Sequence, residues 1–268
     1  MADYPLRLSD DEVARYRLMA ERARAHESEL WAQAGIGPGA RIADIGGGPG
    51  ATLVLLAEAA GTEGRVVGFD ADESAVAAAS ALVTSTGAAN ASVRVGKAAD
   101  TGLPEGEFHV VMLRHVLAHN GGAEQQIVDH LVTLVRPGGA LYLLDAHLQG
   151  MAMYPEPAGI ADLFDRYRAF LAARGTDLRI GLRLAHLAEA AGLTVEAFRG
   201  WMPIFALPPG QRGPAWAARD ARLAAGLIDE AHIRRWDKAF EALDAAPERP
   251  KLFPAILAVV ARRAAEPS

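Results

Sequence analysis

The sequence predicts an α/β protein with a doubly wound, Rossmann-like sheet, and two observations carry that prediction. From Gly37 to Asp145 short apolar runs alternate with helical patterns, and the first run, Arg41–Ile45, ends in a glycine turn that opens directly into a helix. Strand and helix repeating at this spacing signal parallel pairing through right-handed crossovers. The first strand is therefore Arg41–Ile45, with a helix over Pro49–Ala60. Arg65–Asp70 is the second strand, Glu73–Thr86 a helix and Ala91–Val95 the third strand. Phe108–Leu113 is the fourth, Ala123–Val135 a helix and Ala140–Asp145 the fifth.

Flanking segments follow other patterns. Ser9–Ala34 reads as a helix opened by Ser9-Asp-Asp-Glu12, the spacing of a capping box, with Tyr16, Met19 and Ala23 on one face. Gln149–Pro157 reads as a loop with a greasy lining, because Gly150, Pro155 and Pro157 interrupt Met151, Met153 and Tyr154. Ile160, Leu163, Phe164, Tyr167, Phe170 and Leu171 form a helical stripe, and Leu182–Ala191 a short helix ending at Gly192. Leu193–Ala206 is the sixth strand. A Pro/Gly break at 208–214 precedes two more helices, the second carrying Ile233, Trp236, Phe240 and Leu243. Leu252–Ala261 is the last strand, tolerable with Pro254 near its start.

Composition narrows the function classes. The chain has 268 residues, 51% of them hydrophobic, and a formal net charge of −6, without a basic run. Nucleic acid is accordingly not an expected partner. Cysteine is absent, which excludes disulfides and thiolate metal sites, and no metal is expected. An N-terminus bearing Asp3, Arg7, Asp10, Asp11 and Glu12 lacks a secretory core, and no run of about 20 apolar residues suggests a membrane span. The expectation is a cytoplasmic protein with a small-molecule substrate, and the sequence leaves a homodimer open.

The glycine turn, Gly46-Gly-Gly-Pro-Gly-Ala51, places main-chain N–H groups at a helix start where a ligand can approach closely. It also satisfies the G-x-G-x-x-G/A pattern of dinucleotide enzymes. Asp70, 22 residues beyond Gly48 and at the end of the second strand, can accept both hydroxyls of a ribose. Turn and carboxylate together indicate an adenosine-containing ligand of either class.

Five pieces in order, the turn and Asp70 among them, separate the two classes. They are Ile42-Ala-Asp44-Ile-Gly46-Gly-Gly48-Pro-Gly50, Val66-Val-Gly-Phe-Asp70, Ala98-Ala-Asp100 ahead of Leu103–Leu113, Arg114-His-Val-Leu-Ala-His119, and Leu134-Val-Arg-Pro-Gly-Gly139 running to Asp145. In these the chain resembles the class I S-adenosylmethionine-dependent methyltransferases, over roughly Gly37 to Asp145. The resemblance implies S-adenosylmethionine as cofactor, with S-adenosylhomocysteine as product. It implies that the turn of Gly46, Gly47 and Gly48 binds the methionine end, oriented by Asp44. Asp70 would take the ribose, Asp100 the adenine amino group, Ala71 and Ala99 the faces of the ring. The backbone around Arg114 would meet the amino or carboxylate group, and Tyr16 of the N-terminal helix would cover the cofactor. It also implies the sheet order 3-2-1-4-5-7-6 with an antiparallel last strand. The chain looks most like small bacterial enzymes of quinone biosynthesis and secondary metabolism, and its Ala, Gly and Arg usage fits a GC-rich bacterial source.

Methyl transfer depends mainly on alignment of nucleophile and methyl. Where the acceptor is a hydroxyl or an acidic C–H, a base helps, and His115 and His119, four apart beyond the fourth strand, are the candidate catalytic residues; Asp145 and His147 are further ones. Met151, Met153, Tyr154, Phe164, Tyr167, Arg168 and Trp201 are the candidate acceptor-pocket residues, a set suited to a flat or greasy molecule. The expected division is an N-terminal helical cap over 1–35, a cofactor core over 36–148, a substrate cap and sheet edge over 149–250, and a final strand and tail over 251–268. A cyclase-type enzyme that binds the same cofactor without transferring methyl, a nicotinamide-dependent oxidoreductase and a nonenzymatic scaffold are the alternatives.

Overall fold

The computed structural model describes residues 10–265, in which seven strands form one sheet of order β3-β2-β1-β4-β5-β7-β6. β1 (Arg41–Ile45), β2 (Arg65–Asp70), β3 (Ala91–Val95), β4 (Phe108–Arg114) and β5 (Val135–Tyr154) are parallel, whereas β7 (Lys251–Arg262) runs antiparallel between β5 and β6 (Thr194–Trp201). The strand order and the antiparallel last strand agree with the sequence expectation. α1 (Asp10–Ala34), α2 (Ala51–Ala60), α3 (Glu73–Thr86), α4 (Glu124–Leu134) and α6 (Ile180–Ala190) belong to the sheet; α5 (Ile160–Ala173), α7 (Gly213–Ala217), α8 (Arg219–Ala224) and α9 (Glu230–Ala245) build the cap. Ser9, the expected capping residue of α1, lies outside the described residues.

The central strands are apolar throughout because both faces are covered. Alternation sends Ala43, Ile45, Val111, Leu113, Leu141 and Leu143 to one face, against α4 and α6. Ile42, Val110, Met112, Tyr142 and Leu144 go to the other, against Leu30 and Trp31 of α1 and Leu53 and Leu56 of α2. Each such aliphatic side chain contributes about 1.5–3 kcal/mol by burial. The cap has its own core, with Leu163, Tyr167 and Phe170 of α5 packed on Trp236 and Phe240 of α9.

Four local expectations need correction. Pro49 is not the first helical residue: α2 starts at Ala51 behind Gly50, whose φ of 83° makes it a left-handed cap. Gln149–Tyr154 is not a loop but the continuation of β5, a 20-residue strand, so the expected boundary at 148 falls inside it. β7 supplies the missing ladder by pairing with Ala152–Tyr154, and the register slips between His147 and Ala152 opposite Pro254, where no proline N–H is needed. β6 stops at Trp201 instead of Ala206; only Phe205 returns, bridging to Leu252. Finally, the break at 208–214 is followed by three helices rather than two.

Candidate functional site

The glycine turn is held from below by backbone and from the side by one carboxylate. Gly46 and Gly47 donate to the Phe69 carbonyl at 2.7 and 3.0 Å. Asp70 accepts from the Gly48 N–H through Oδ2 at 2.9 Å and from the Asp72 N–H through Oδ1 at 3.0 Å. The ordinary role of capping α3 falls to Asp72, which accepts from Ser74. Asp70 is therefore spent on the turn rather than on the helix. Two of its roughly four acceptor positions remain.

Close approach fixes the residue types here. A Cβ on Gly48, already at φ 56°, would lie 2.9 Å from the Tyr16 ring, and one on Gly47 would lie 2.8 Å from Asp44 Oδ2. Tyr16 thus covers the turn from α1, and Asp44 lies beneath it. Asp44 is 2% exposed, and its Oδ2 has no hydrogen-bond partner among the described residues. Burial raises its pKa to about 6, opposed by the Arg114 charge and helped by that of Asp70. On the far side of Asp70, Ala71 is exposed, Ala99 packs partly against the core and Asp100 is exposed. The segment is pinned by Asp100 N–H donating to the Lys97 carbonyl and Thr101 N–H to His130 Nε2.

The Arg114 side chain does not point to the turn. It lies under the site in a buried cluster, donating to Glu27 at 2.7 and 3.2 Å and to Thr52 Oγ1 at 3.1 Å. Tyr142 and Trp31 also donate to Glu27, at 2.8 and 3.2 Å. Burial opposes the Arg114 charge, yet the Glu27 carboxylate outweighs it and holds the guanidinium above its ordinary pKa. This cluster bolts α1 to β4 and α2. Sequence reading missed Glu27 because its partners lie far away in the chain, and its only local signal was a lone carboxylate facing inward beside Trp31.

Past the end of β4 the structure brings His115 and His119 together with Asp145 of β5. His115 sits at φ 57°, the one non-glycine residue in the left-handed region among the described residues, with its N–H donating to the Leu144 carbonyl at 2.8 Å. Its Nδ1 is 3.9 Å from Asp145 Oδ1. Asp145 is buried and accepts from the N–H groups of Ala118 at 3.1 Å and Ala146 at 2.8 Å. Burial raises its pKa to about 7 against these bonds. Burial, then Arg114, Arg15 and His119, push His115 well below the usual histidine value; burial and Arg15 lower His119, on the 3-10 turn Leu117–His119, to about 4. Both imidazoles are neutral at neutral pH. His147 adds a buried Nδ1 without a hydrogen-bond partner among the described residues.

A cleft of about 420 Å³ opens where the long end of β5 meets α5. Met151, Met153, Tyr154, Phe164 and Arg168, five of the candidate acceptor-pocket residues, line it together with Glu156 and with Leu252 of β7, which sequence reading did not single out. Arg168 is tied to Asp165. Tyr167 and Trp201 do not line the cleft. Tyr167 turns into the cap core beneath Arg222, and Trp201 packs at the sheet edge opposite Ile256. Phe164 and Arg168, four apart, share the cleft face of α5, while Tyr167 packs into the cap core against α9.

Residues 42–139 match the sequence family described as "Methyltransferase domain". That stretch is similar to methyltransferase domains. It runs from the buried part of β1 into β5 and contains the glycine turn, Asp70, Asp100 and the segment after β4. Nocamycin O-methyltransferase of Saccharothrix syringae is 43% identical over 74 residues, 28% of this chain and 26% of that protein. Arsenite methyltransferase of Halobacterium salinarum is 26% identical over 112 residues, 42% of this chain and 28% of that protein. The chain thus spans about a quarter of the length of these two relatives. Among solved structures, the YcgJ protein of Bacillus subtilis superposes with a TM-score of 0.56 at 18% identity, covering 88% of this chain and 97% of that one. This last likeness is one of fold, and it reaches beyond residue 139.

Proposed function

We propose that the protein is an S-adenosylmethionine-dependent methyltransferase acting on a small apolar or aromatic molecule. The observation that carries this reading is the methyltransferase-domain match itself, because 42–139 encloses every expected cofactor residue except Tyr16. The site fits the group: Gly47 and Gly48 admit no side chain, and Asp70 stands at the turn with acceptor capacity left. Gly46–Gly48 would hold the methionine end, Asp70 the ribose, Asp100 the adenine amino group, Ala71 and Ala99 its ring. Bound there, the cofactor supplies an electrophilic methyl on a sulfonium.

The chain's own residues orient and shield. Tyr16 closes the turn from above, and the Glu27–Arg114 cluster fixes the helix that carries it. Neutral His115 or His119 takes the acceptor's proton at a ring nitrogen. The cleft of Met151, Met153, Tyr154, Phe164 and Arg168 receives the acceptor. In this reading the acceptor belongs to secondary metabolism and the enzyme works in a bacterial cytoplasm, as a monomer or a homodimer. Calorimetry tests the cofactor assignment: S-adenosylhomocysteine binds and NADH does not. Binding of NADH alone would overturn it.

A further inference from the structure

We infer that Asp145 is the positioning residue for His115, holding its Nδ1–H so that Nε2 is the nitrogen offered to the acceptor. The inference rests on the methyltransferase reading for its meaning, and on the geometry of β4 and β5 for its grounds. His115 is kept in a left-handed backbone conformation unfavourable for a non-glycine residue, and such strain persists only where the surroundings impose it. Here the imposed conformation leaves its Nδ1 3.9 Å from Asp145 Oδ1, longer than a hydrogen bond and within ion-pair reach.

Asp145 is built to stay still. Two backbone N–H groups fix its carboxylate, and α6 backs its strand so closely that a Cβ on Gly181 would come within 3.0 Å of the Asp145 carbonyl. Among the described residues, Arg114 from β4, Arg15 from α1 and His119 from the 3-10 turn disfavour a positive charge on His115, and Asp177, ahead of α6, disfavours a negative one on Asp145. Each charge alone is penalised, while the two together relieve one another. When the acceptor's O–H or acidic C–H yields its proton to Nε2, the electron pair of that bond stays on the acceptor. The positive charge then appears on His115 directly beside the Asp145 carboxylate.

The test is the histidine tautomer, read without substrate from long-range proton–nitrogen correlations on protein labelled with nitrogen-15 at histidine. His115→Gln identifies the signal. Above the pH at which Asp145 ionises, about 7, His115 of the unmodified protein carries its proton on Nδ1. Asp145→Asn moves the tautomer ratio toward Nε2–H by about tenfold, the scale of one lost charge-assisted bond. An Nε2–H majority in the unmodified protein overturns the inference, whether or not the variant folds. So does an unchanged ratio in a folded Asp145→Asn protein. S-adenosylhomocysteine calorimetry on the same samples reports separately on the cofactor reading, so the two cannot fail unnoticed together.

Discussion

Two arginines show how differently the core and the cap are held together. Arg114, under the glycine turn, faces the Glu27 carboxylate through two hydrogen bonds, and its charge is stabilised. Arg222, 0% exposed in the cap core, donates among the described residues to the backbone carbonyls of Leu163, Ala215 and Ala218, and sits over the Tyr167 and Trp236 rings. Burial lowers its pKa to about 10. The core cation is one half of an ion pair, whereas the cap cation fills a cage of dipoles and aromatic faces. Removing a partner therefore has different consequences. In the core it strands a charge; in the cap it leaves carbonyls such as Ala218, which already accepts the Arg222 N–H within its helix.

The sharpest way to break this comparison is a pair of variants. Glu27→Gln should cost about 3–5 kcal/mol of unfolding free energy, the range for an uncompensated buried charge, and Arg222→Met only about 1–2 kcal/mol. Denaturant titration measures both, and equal losses would show that the cage binds the cation as firmly as the carboxylate does. Next in size is a pH effect confined to the core side. His119 is neutral in the folded protein down to about 4, against an ordinary value of 6.5. The unfolded chain therefore binds the proton first as pH falls. The stability His119 confers is complete above 6.5 and declines by about 2–3 kcal/mol toward pH 4. Asp44 and Asp145, raised to about 6 and 7, act with the opposite sign, gaining stability on acidification over that window. Comparing the protein with His119→Gln isolates the histidine, and parallel stability curves would contradict the assignment. At the turn, Asp70→Ala should weaken S-adenosylhomocysteine binding by about 1–3 kcal/mol and leave the cap unaffected.

What was legible in the sequence follows the same division. The glycine turn and the individual core strands could be read because their constraints are local, a positive φ at Gly48 or a run of residues buried on both faces as in Ile42–Ile45, whereas the strand order came from the family resemblance. Glu27 was invisible because its partners Arg114 and Tyr142 lie 87 and 115 residues away. Tyr167 was misassigned because its periodicity is shared with Phe164, and only the position of α9 decides which face of α5 is core. The loop reading of Gln149–Tyr154 failed for a related reason. Gly150 and the prolines weaken a strand taken alone, but β7 arrives from a hundred residues later to complete it.

That long strand has one more consequence. Asp145 and the cleft residues Met151–Tyr154 lie on the same continuous β5, separated only by the irregular stretch between His147 and Ala152. An irregularity of this kind works as an expansion joint: residues can be added or removed there while the ladder re-forms on either side. The front of the molecule is thereby exchangeable without disturbing the rear. Variation at 148–154 can reshape what enters the cleft while the anchored carboxylate keeps its place.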